Sequence, residues 1–284
     1  MTSNLPDSSA QPKPWGVLLD GYQSGPFNMA MDETLLDEVS KPKAQPQTYL
    51  RFYQWIRPTL SLGFSQKAER VVDLDYCKLH GIDVVRRPTG GKAVLHHREL
   101  TYSVISNDAV VFPIGDISKI YRRIAAALQT GLGILGIETT LAQNCGRNTA
   151  MGPLPAACFA VSNHFEVLWK DRKLVGSAQR RTKTAFLQHG SILIEFDAGM
   201  LSGALRSCDI SSVSAGVTDL KTCLNSIPSM RDLISAMSKG FEASFAVPLV
   251  NYQLPQDLSA RTHTLADSKW TALNGPSFAA NEVP

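Results

Sequence analysis

From residue 15 to about residue 250 the chain alternates short apolar runs with polar breaks, and the period of the apolar positions changes along it. WGVLLD (15–20) reads as a strand leading into a helix over Phe27–Val39. That helix is predicted from helix-forming composition and not from a stripe, because Met29, Glu33 and Leu36 fall on different faces. TYLRFYQW (48–55) alternates and is rich in aromatics, which predicts a strand; Arg57-Pro58 breaks it, and TLSLGF continues as a second one. Asp73 is placed to cap a short helix, DLDYCKLH, that stops at Gly81. IDVVRR (82–87), AVLH (93–96) and LTYSVIS (100–106) follow as strands.

The clearest helical period lies in ISKIYRRIAAALQTGLGILG, where Ile117, Ile120, Tyr121, Ile124, Ala127 and Leu128 recur on one face behind a possible N-cap at Asp116. A loop rich in Gly, Asn and Pro comes next. HFEVLWK (164–170), KLVGSAQRR (173–181) and LQHGSILIEF (187–196) then read as three strands joined by short polar turns. SMRDLISAMSKGFEASF (229–245) reads as a closing helix, and the polar stretch after about residue 255 as an irregular tail. Several strands follow one another through short turns. The expected fold is therefore α/β in the α+β sense: a single domain over 15–250 with a mixed, largely antiparallel sheet flanked by helices. Residues 1–14 are expected to be a disordered leader and 251–284 a C-terminal tail.

Composition narrows the function. The formal charge of +3 excludes a strongly basic nucleic-acid binder, and no apolar run reaches the roughly 18 residues of a membrane span. The N-terminus lacks the basic start and apolar stretch of a secretory signal. Cys77, Cys145, Cys158, Cys208 and Cys223 are odd in number, scattered and without a C-x-x-C, as reduced thiols of a cytoplasmic protein would be. No Cys or His pair has metal-ligand spacing, so no metal is expected; no cofactor is expected either.

Three stretches can carry chemistry. In RRPTGGKAVLHH (86–97), Gly91-Lys92 suggests a phosphate loop, but the first glycine position of that motif is Arg86 and its hydroxyl position is Ala93. Gly90 and Gly91 then read either as a hairpin-like turn between the flanking strands or as a loop that grips a ligand through its backbone. Cys158 follows the Pro-rich loop and precedes a strand; it reads as a buried small hydrophobe or as a nucleophile beside a cation such as Lys173. Gly176-Ser177-Ala178 and Gly190-Ser191 place small residues in neighbouring strands, which suits a groove floor or tight packing. His96 and His189 are pocket residues or satisfied core histidines.

RRPTGGKAVLHHRELTYSV (86–104) followed by KLVGSAQRRTKTAFLQHGSILI (173–194) resembles the lipoate–protein ligase A and octanoyltransferase superfamily. RFYQWIRPTLSLGFSQ (51–66) resembles its first substrate-lining strand pair, and ACFAVSNHFEV (157–167) resembles the cysteine-dependent octanoyltransferase branch, the LipM type. The resemblance implies a fold shared with biotin and lipoate protein ligases, a nucleophile at Cys158 and an essential lysine at Lys173. It implies an acyltransferase that moves octanoyl from acyl carrier protein to a lysine of a lipoyl carrier domain, such as a glycine cleavage H protein or a 2-oxoacid dehydrogenase E2, without ATP. Arg51, Trp55, Val94 and Gly176–Ala178 are the expected lining of an acyl slot, with Arg87, Gly90, Gly91, His96, His189 and Gly190 as further binding residues. Arg86, Arg87, Lys92, Arg180 and Arg181 are the expected basic rim. An ATP-dependent lipoate ligase, an amidotransferase between lipoyl domains and a non-catalytic acyl- or carrier-binding regulator stay open as alternatives.

Overall fold

The computed structural model describes residues 13–142, 166–270 and 273. Cys145 and Cys158 lie outside the described residues. Along the chain the strands are β1 (Trp15–Gln23), β2 (Thr48–Trp55), β3 (Thr59–Leu62), β4 (Asp83–Arg86), β5 (Val94–His96), β6 (Glu99–Ser106), β7 (Thr140–Leu141), β8 (Val167–Trp169), β9 (Arg172–Arg181), β10 (Phe186–Leu193) and β11 (Leu249–Asn251). The helices are α1 (Gly25–Val39), α2 (Ala68–Val71), α3 (Leu74–Leu79), α4 (Ile117–Ile134), α5 (Ala198–Ala204), α6 (Ile210–Gly216), α7 (Leu220–Cys223), α8 (Met230–Phe245) and α9 (Gln256–Ser268).

Among the described residues, eight strands form one sheet in the order β11-β1-β2-β6-β10-β9-β8-β7, and β4-β3-β5 form a second, smaller sheet. In the large sheet β1 runs parallel to β2 and β11, and every other pairing is antiparallel. This is the mixed, largely antiparallel sheet that the strand pattern predicts. α4 and α8 cover one face of it, burying Ile120, Ile124, Leu128, Met237 and Phe241 with Phe52, Tyr102 and Val104 in the main core. Asp116 and Asp73 cap α4 and α3 by accepting from the amides of Lys119 and Tyr76, as expected from the sequence.

α1 explains its own missing stripe. It begins at Gly25, behind a Ser24 cap, and almost every residue from Met29 to Leu36 is buried. Its surroundings include two hydrophobic clusters, one with β2, β6 and β10 residues and one with α9 and Val85. A helix covered on all sides shows no single apolar face, and its polar residues Asn28, Asp32 and Glu33 then need partners inside the protein.

Two expectations change. Strands β4 and β5 do not pair with each other; each pairs with β3, which lies between them. The Gly90-Gly91 segment is therefore a loop that crosses over β3 and not a hairpin turn. Gly91 has a φ of 96°, and a Cβ on Gly63 would lie 2.0 Å from the Gly91 carbonyl oxygen, so the loop folds down onto the backbone after β3. The polar stretch after residue 255 is also not irregular. Gln256–Ser268 is helical, burying Leu258, Thr262 and Ala266, and Arg261 pairs with Asp37 of α1. Only a few apolar positions are needed for this short helix to dock, too few to register as a period.

Candidate active site

The two sheets flank a pocket with about 400 Å³ of empty space, part of it open to solvent. Its floor is one register row of the large sheet. Gly176 of β9 lies opposite Ser191 of β10, Ser191 opposite Thr101 of β6, and Thr101 opposite Tyr53 of β2. Trp55, Ala178 and His189 lie beside this row, α1 contributes Met29, and the small sheet contributes Ser61, Val94 and His96.

Polar groups line this cavity in two buried chains that meet at Arg87. In one, Asp32 Oδ2 lies 3.0 Å from His189 Nδ1, and His189 Nε2 lies 2.7 Å from Thr89 Oγ1, which accepts from Arg87 Nε at 3.1 Å. In the other, Glu99 Oε1 lies 2.8 Å from His96 Nδ1, and His96 Nε2 lies 2.8 Å from Ser61 Oγ, which accepts from Arg87 Nη1 at 3.2 Å. Carboxylates only accept, so the donor inventory puts the proton of each imidazole on Nδ1, and each Nε2 accepts from a hydroxyl. Arg87 Nη2 also donates to the carbonyls of Gly90 and Lys92 at 2.7 Å each. The same guanidinium therefore ties the Gly-Gly loop to both chains.

Burial disfavours the charged imidazolium of His189 more than Asp32 favours it, so its pKa sits below the ordinary histidine value. Burial alone would raise the Asp32 carboxyl. The hydrogen bond from His189 and the charge of Arg51 outweigh burial and hold it below the usual range. Around Glu99 Oε1, Thr101 and Ser191 also donate, while Trp55 donates to Thr101 at 2.8 Å and stacks on the His96 ring with centroids 4.1 Å apart.

Of the residues singled out in the sequence, Trp55, Arg87, Val94, His96, Gly176, Ser177, Ala178, His189 and Gly190 come together around this cavity. Arg51 sits in the next register row, opposite Ser103, and is fully buried against Asp20, Asn28 and Asp32. It lies on the same face of the sheet as the floor, but beneath α1, which it supports. Gly90 and Gly91 stand outside the lining and are held there by Arg87. Gly190 is small because a Cβ there would lie 2.4 Å from the Gly176 carbonyl oxygen and 2.7 Å from the Tyr102 ring, so tight packing accounts for it. The basic rim does not form as expected. Arg87 is buried, and Arg86 donates to the carbonyls of Gly63, Phe64 and Gln66 after β3.

Lys173 lies in β9, upstream of Gly176 on the same strand. It is buried rather than set in a solvated turn, and its Nζ forms an ion pair with Glu166. The turn before it, Lys170-Asp171, has positive φ at both residues, as a tight two-residue hairpin between β8 and β9 requires. Cys77, Cys208 and Cys223 all have thiols raised by burial, Cys77 to about 11, which keeps them protonated and poorly nucleophilic. Among the described residues no group of His, Cys, Asp and Glu is arranged to hold a metal ion, and no helix is long and apolar enough to cross a membrane.

Sequence reasoning missed Met29, Asp32, Tyr53, Ser61, Thr89, Glu99 and Thr101. One signal was available. In β6 every residue is buried, and Glu99, Thr101 and Ser103 share one face at period two. A polar face on a fully buried strand has to look onto a polar interior.

The lipoyl protein ligase A/B catalytic domain matches residues 24–242. Octanoyltransferase LipM of Geobacillus kaustophilus is 35% identical over 269 residues, covering 90% of this chain and 95% of that protein. Octanoyltransferase LipM of Clostridioides difficile is 41% identical over 193 residues, covering 68% and 70%. A crystal structure of lipoate-protein ligase A bound with ATP is similar at a TM-score of 0.72 and 25% identity, covering 90% of this chain and 96% of that one. The bi-partite lipoate protein ligase of Thermoplasma acidophilum, described with its E2 lipoyl domain, is similar at 0.70 and 26%, covering 90% and 94%. A two-sheet cavity with this loop, and a match across most of the sequence, lead to one conclusion: the chain belongs to the lipoyl protein ligase A/B catalytic domain family.

Proposed function

We propose that this protein is an octanoyltransferase that takes an octanoyl group from the thioester of an acyl carrier protein and delivers it to a lysine of a lipoyl carrier domain, through a thioester on Cys158. The observation that carries the reading is similarity along nearly the whole chain to proteins named octanoyltransferase LipM. The buried Lys173–Glu166 pair, on the strand that also carries the cavity residues Gly176, Ser177 and Ala178, supports it.

The chemistry runs in two exchanges. The Cys158 thiolate attacks the donor carbonyl; the new carbon–sulfur bond forms as the bond to the carrier sulfur breaks, and the carrier leaves as a thiolate. One thioester replaces another, so this step is near neutral in energy and needs no ATP. The acceptor lysine, as free amine, then attacks the enzyme thioester. The amide bond forms, the Cys158 thiolate departs, and the amine's proton is released. The greater stability of the amide drives this step.

An acceptor ammonium, with an ordinary pKa of about 10.4, has to lose its proton before attack. A cation at Lys173 favours both the Cys158 thiolate and loss of that proton, while Glu166 offsets the cost of burying the lysine. The octanoyl chain occupies the cavity, where each methylene removed from water contributes about 0.8 kcal/mol.

Incubation with octanoyl-acyl carrier protein, followed by intact-mass analysis, tests the assignment. A single acyl adduct is expected on the wild type and on Cys145→Ser, and neither adduct nor transfer on Cys158→Ser. Full activity of Cys158→Ala, or transfer that requires ATP and free lipoate, overturns it; the second outcome identifies a ligase.

A further inference from the structure

The cavity has a direction, and the residues at its far end pack in one cluster with residues of the C-terminal segment. The floor row Gly176–Ser191–Thr101–Tyr53 crosses four neighbouring strands, three steps of about 4.8 Å or roughly 14 Å. Side-chain bulk grows along it, from a hydrogen through two small hydroxyl side chains to a phenol. The row is thus open at β9, the strand that carries Lys173, and walled at β2. In the acyl-transfer reading, on which this inference rests, the carbonyl end of the chain sits toward β9 and the methyl end points at β2.

At that far end the lining residues are Met29, Tyr53 and Trp55. Two of them are pinned. The Tyr53 hydroxyl donates to Asp32 at 3.3 Å, and the Trp55 indole donates to Thr101. Met29 is the adaptable one, an unbranched side chain with several rotatable bonds. All three pack in one buried cluster with Ala30, Val85, Ala266 and Trp270.

Trp270, just beyond α9, is firmly held. Its indole donates to Glu33 Oε2 at 2.8 Å, and Lys269 Nζ lies 2.6 and 2.9 Å from the two oxygens of the same carboxylate. The Trp270 amide donates to Leu265, and the Leu273 amide donates to the Val84 carbonyl, so this segment is fastened on both sides of the ring.

We propose that Met29, backed by Trp270, is the stop that sets the longest acyl chain the enzyme accepts. Trp270 touches no reacting atom; it determines specificity by filling the space into which Met29 would retreat. Removing bulk at either position lengthens the slot at its methyl end and leaves the β9 end unchanged.

The test uses the full-length enzyme with acyl carrier protein loaded with hexanoyl to dodecanoyl groups, measuring kcat/KM for transfer to a lipoyl domain. Calorimetric binding of free octanoate and decanoate is measured in parallel. In Met29→Ala and Trp270→Leu the decanoyl-to-octanoyl ratio is expected to rise up to about fifteen-fold, the worth of two methylenes at ~0.8 kcal/mol each. Trp270→Phe, which keeps a ring in place, shifts the ratio less and is the variant least prone to misfolding. The octanoate and decanoate affinities should move in the same direction. Ratios within twofold of wild type for Met29→Ala and for the folded Trp270 variants, in both measurements, overturn the proposal. Wild-type enzyme that transfers no acyl group overturns the octanoyltransferase reading instead, and the fatty-acid binding then still decides whether Met29 and Trp270 limit the slot.

Discussion

The two polar chains that converge on Arg87 share a plan, carboxylate to imidazole to hydroxyl to guanidinium, but they differ at the carboxylate. Asp32 lies against the buried guanidinium of Arg51, which donates to it at 2.9 Å, and also accepts from Ser103 and Tyr53. Glu99 Oε1 takes its hydrogen bonds from His96, Thr101 and Ser191, an imidazole and two hydroxyls. One chain is thus built around a full buried ion pair, and the other around hydrogen bonds in a ring of small polar side chains. The difference teaches which side of the cavity is rigid scaffold. The Asp32 side anchors α1 to β2 and β10 as well as holding His189, whereas the Glu99 side only orients groups on or beside the cavity wall.

The largest effect expected from this contrast is on stability. Asp32→Ala removes one of the two carboxylates that balance Arg51 and should cost about 3–5 kcal/mol, as breaking a buried pair does. Urea denaturation reads it. Glu99→Ala removes hydrogen bonds to neutral donors and should cost less, about 1–3 kcal/mol in the same assay. Equal losses, or a larger one for Glu99→Ala, would remove the distinction between scaffold and orienting chain.

The smallest effect concerns pH. His189 is neutral when folded, with its pKa depressed by burial, while the unfolded value is about 6.5. Between those two values the unfolded chain binds more protons, so stability rises with pH across that window and is lost as pH falls below about 6.5. Asp32 acts lower down. Its depressed carboxyl pKa stabilises the fold above the ordinary aspartate range, and that contribution disappears as pH falls through the folded value. His189→Gln keeps a donor for Asp32 and an acceptor for Thr89 but does not titrate. Its melting temperature should fall less than that of wild type between pH 7.5 and 5.5; parallel curves would mean that His189 carries none of the dependence.

Much of this molecule was legible in one dimension because the signals are local. α4 shows its apolar stripe because one face packs on the sheet and the other meets solvent. The caps at Asp73 and Asp116 need only a side chain and an amide three residues on. Even the cavity's small residues on β9 and β10 stand out, since strands rarely place Gly, Ser and Ala in succession without a reason. α9 was missed because three buried residues suffice to dock it, and α1 showed no stripe because it is enclosed on all sides. The role of Arg51 was misjudged for a related reason. Period two puts it on the same face as Tyr53, but only the position of α1 decides that one lines the cavity and the other lies beneath the helix.

The sequence by itself determined the class of fold, the main strands and helices, and a set of residues spread from Trp55 to Gly190 that come together around one cavity. Each follows from period, capping or motif order, which act over a few residues. The tertiary structure alone decided that Gly90-Gly91 crosses over β3, that one arginine joins two histidine chains, and that Trp270 stands behind the far end of the cavity. Those facts depend on contacts between residues far apart in the chain, such as Glu33 and Trp270, 237 positions apart. Only the packing of two sheets around a buried helix brings such residues together.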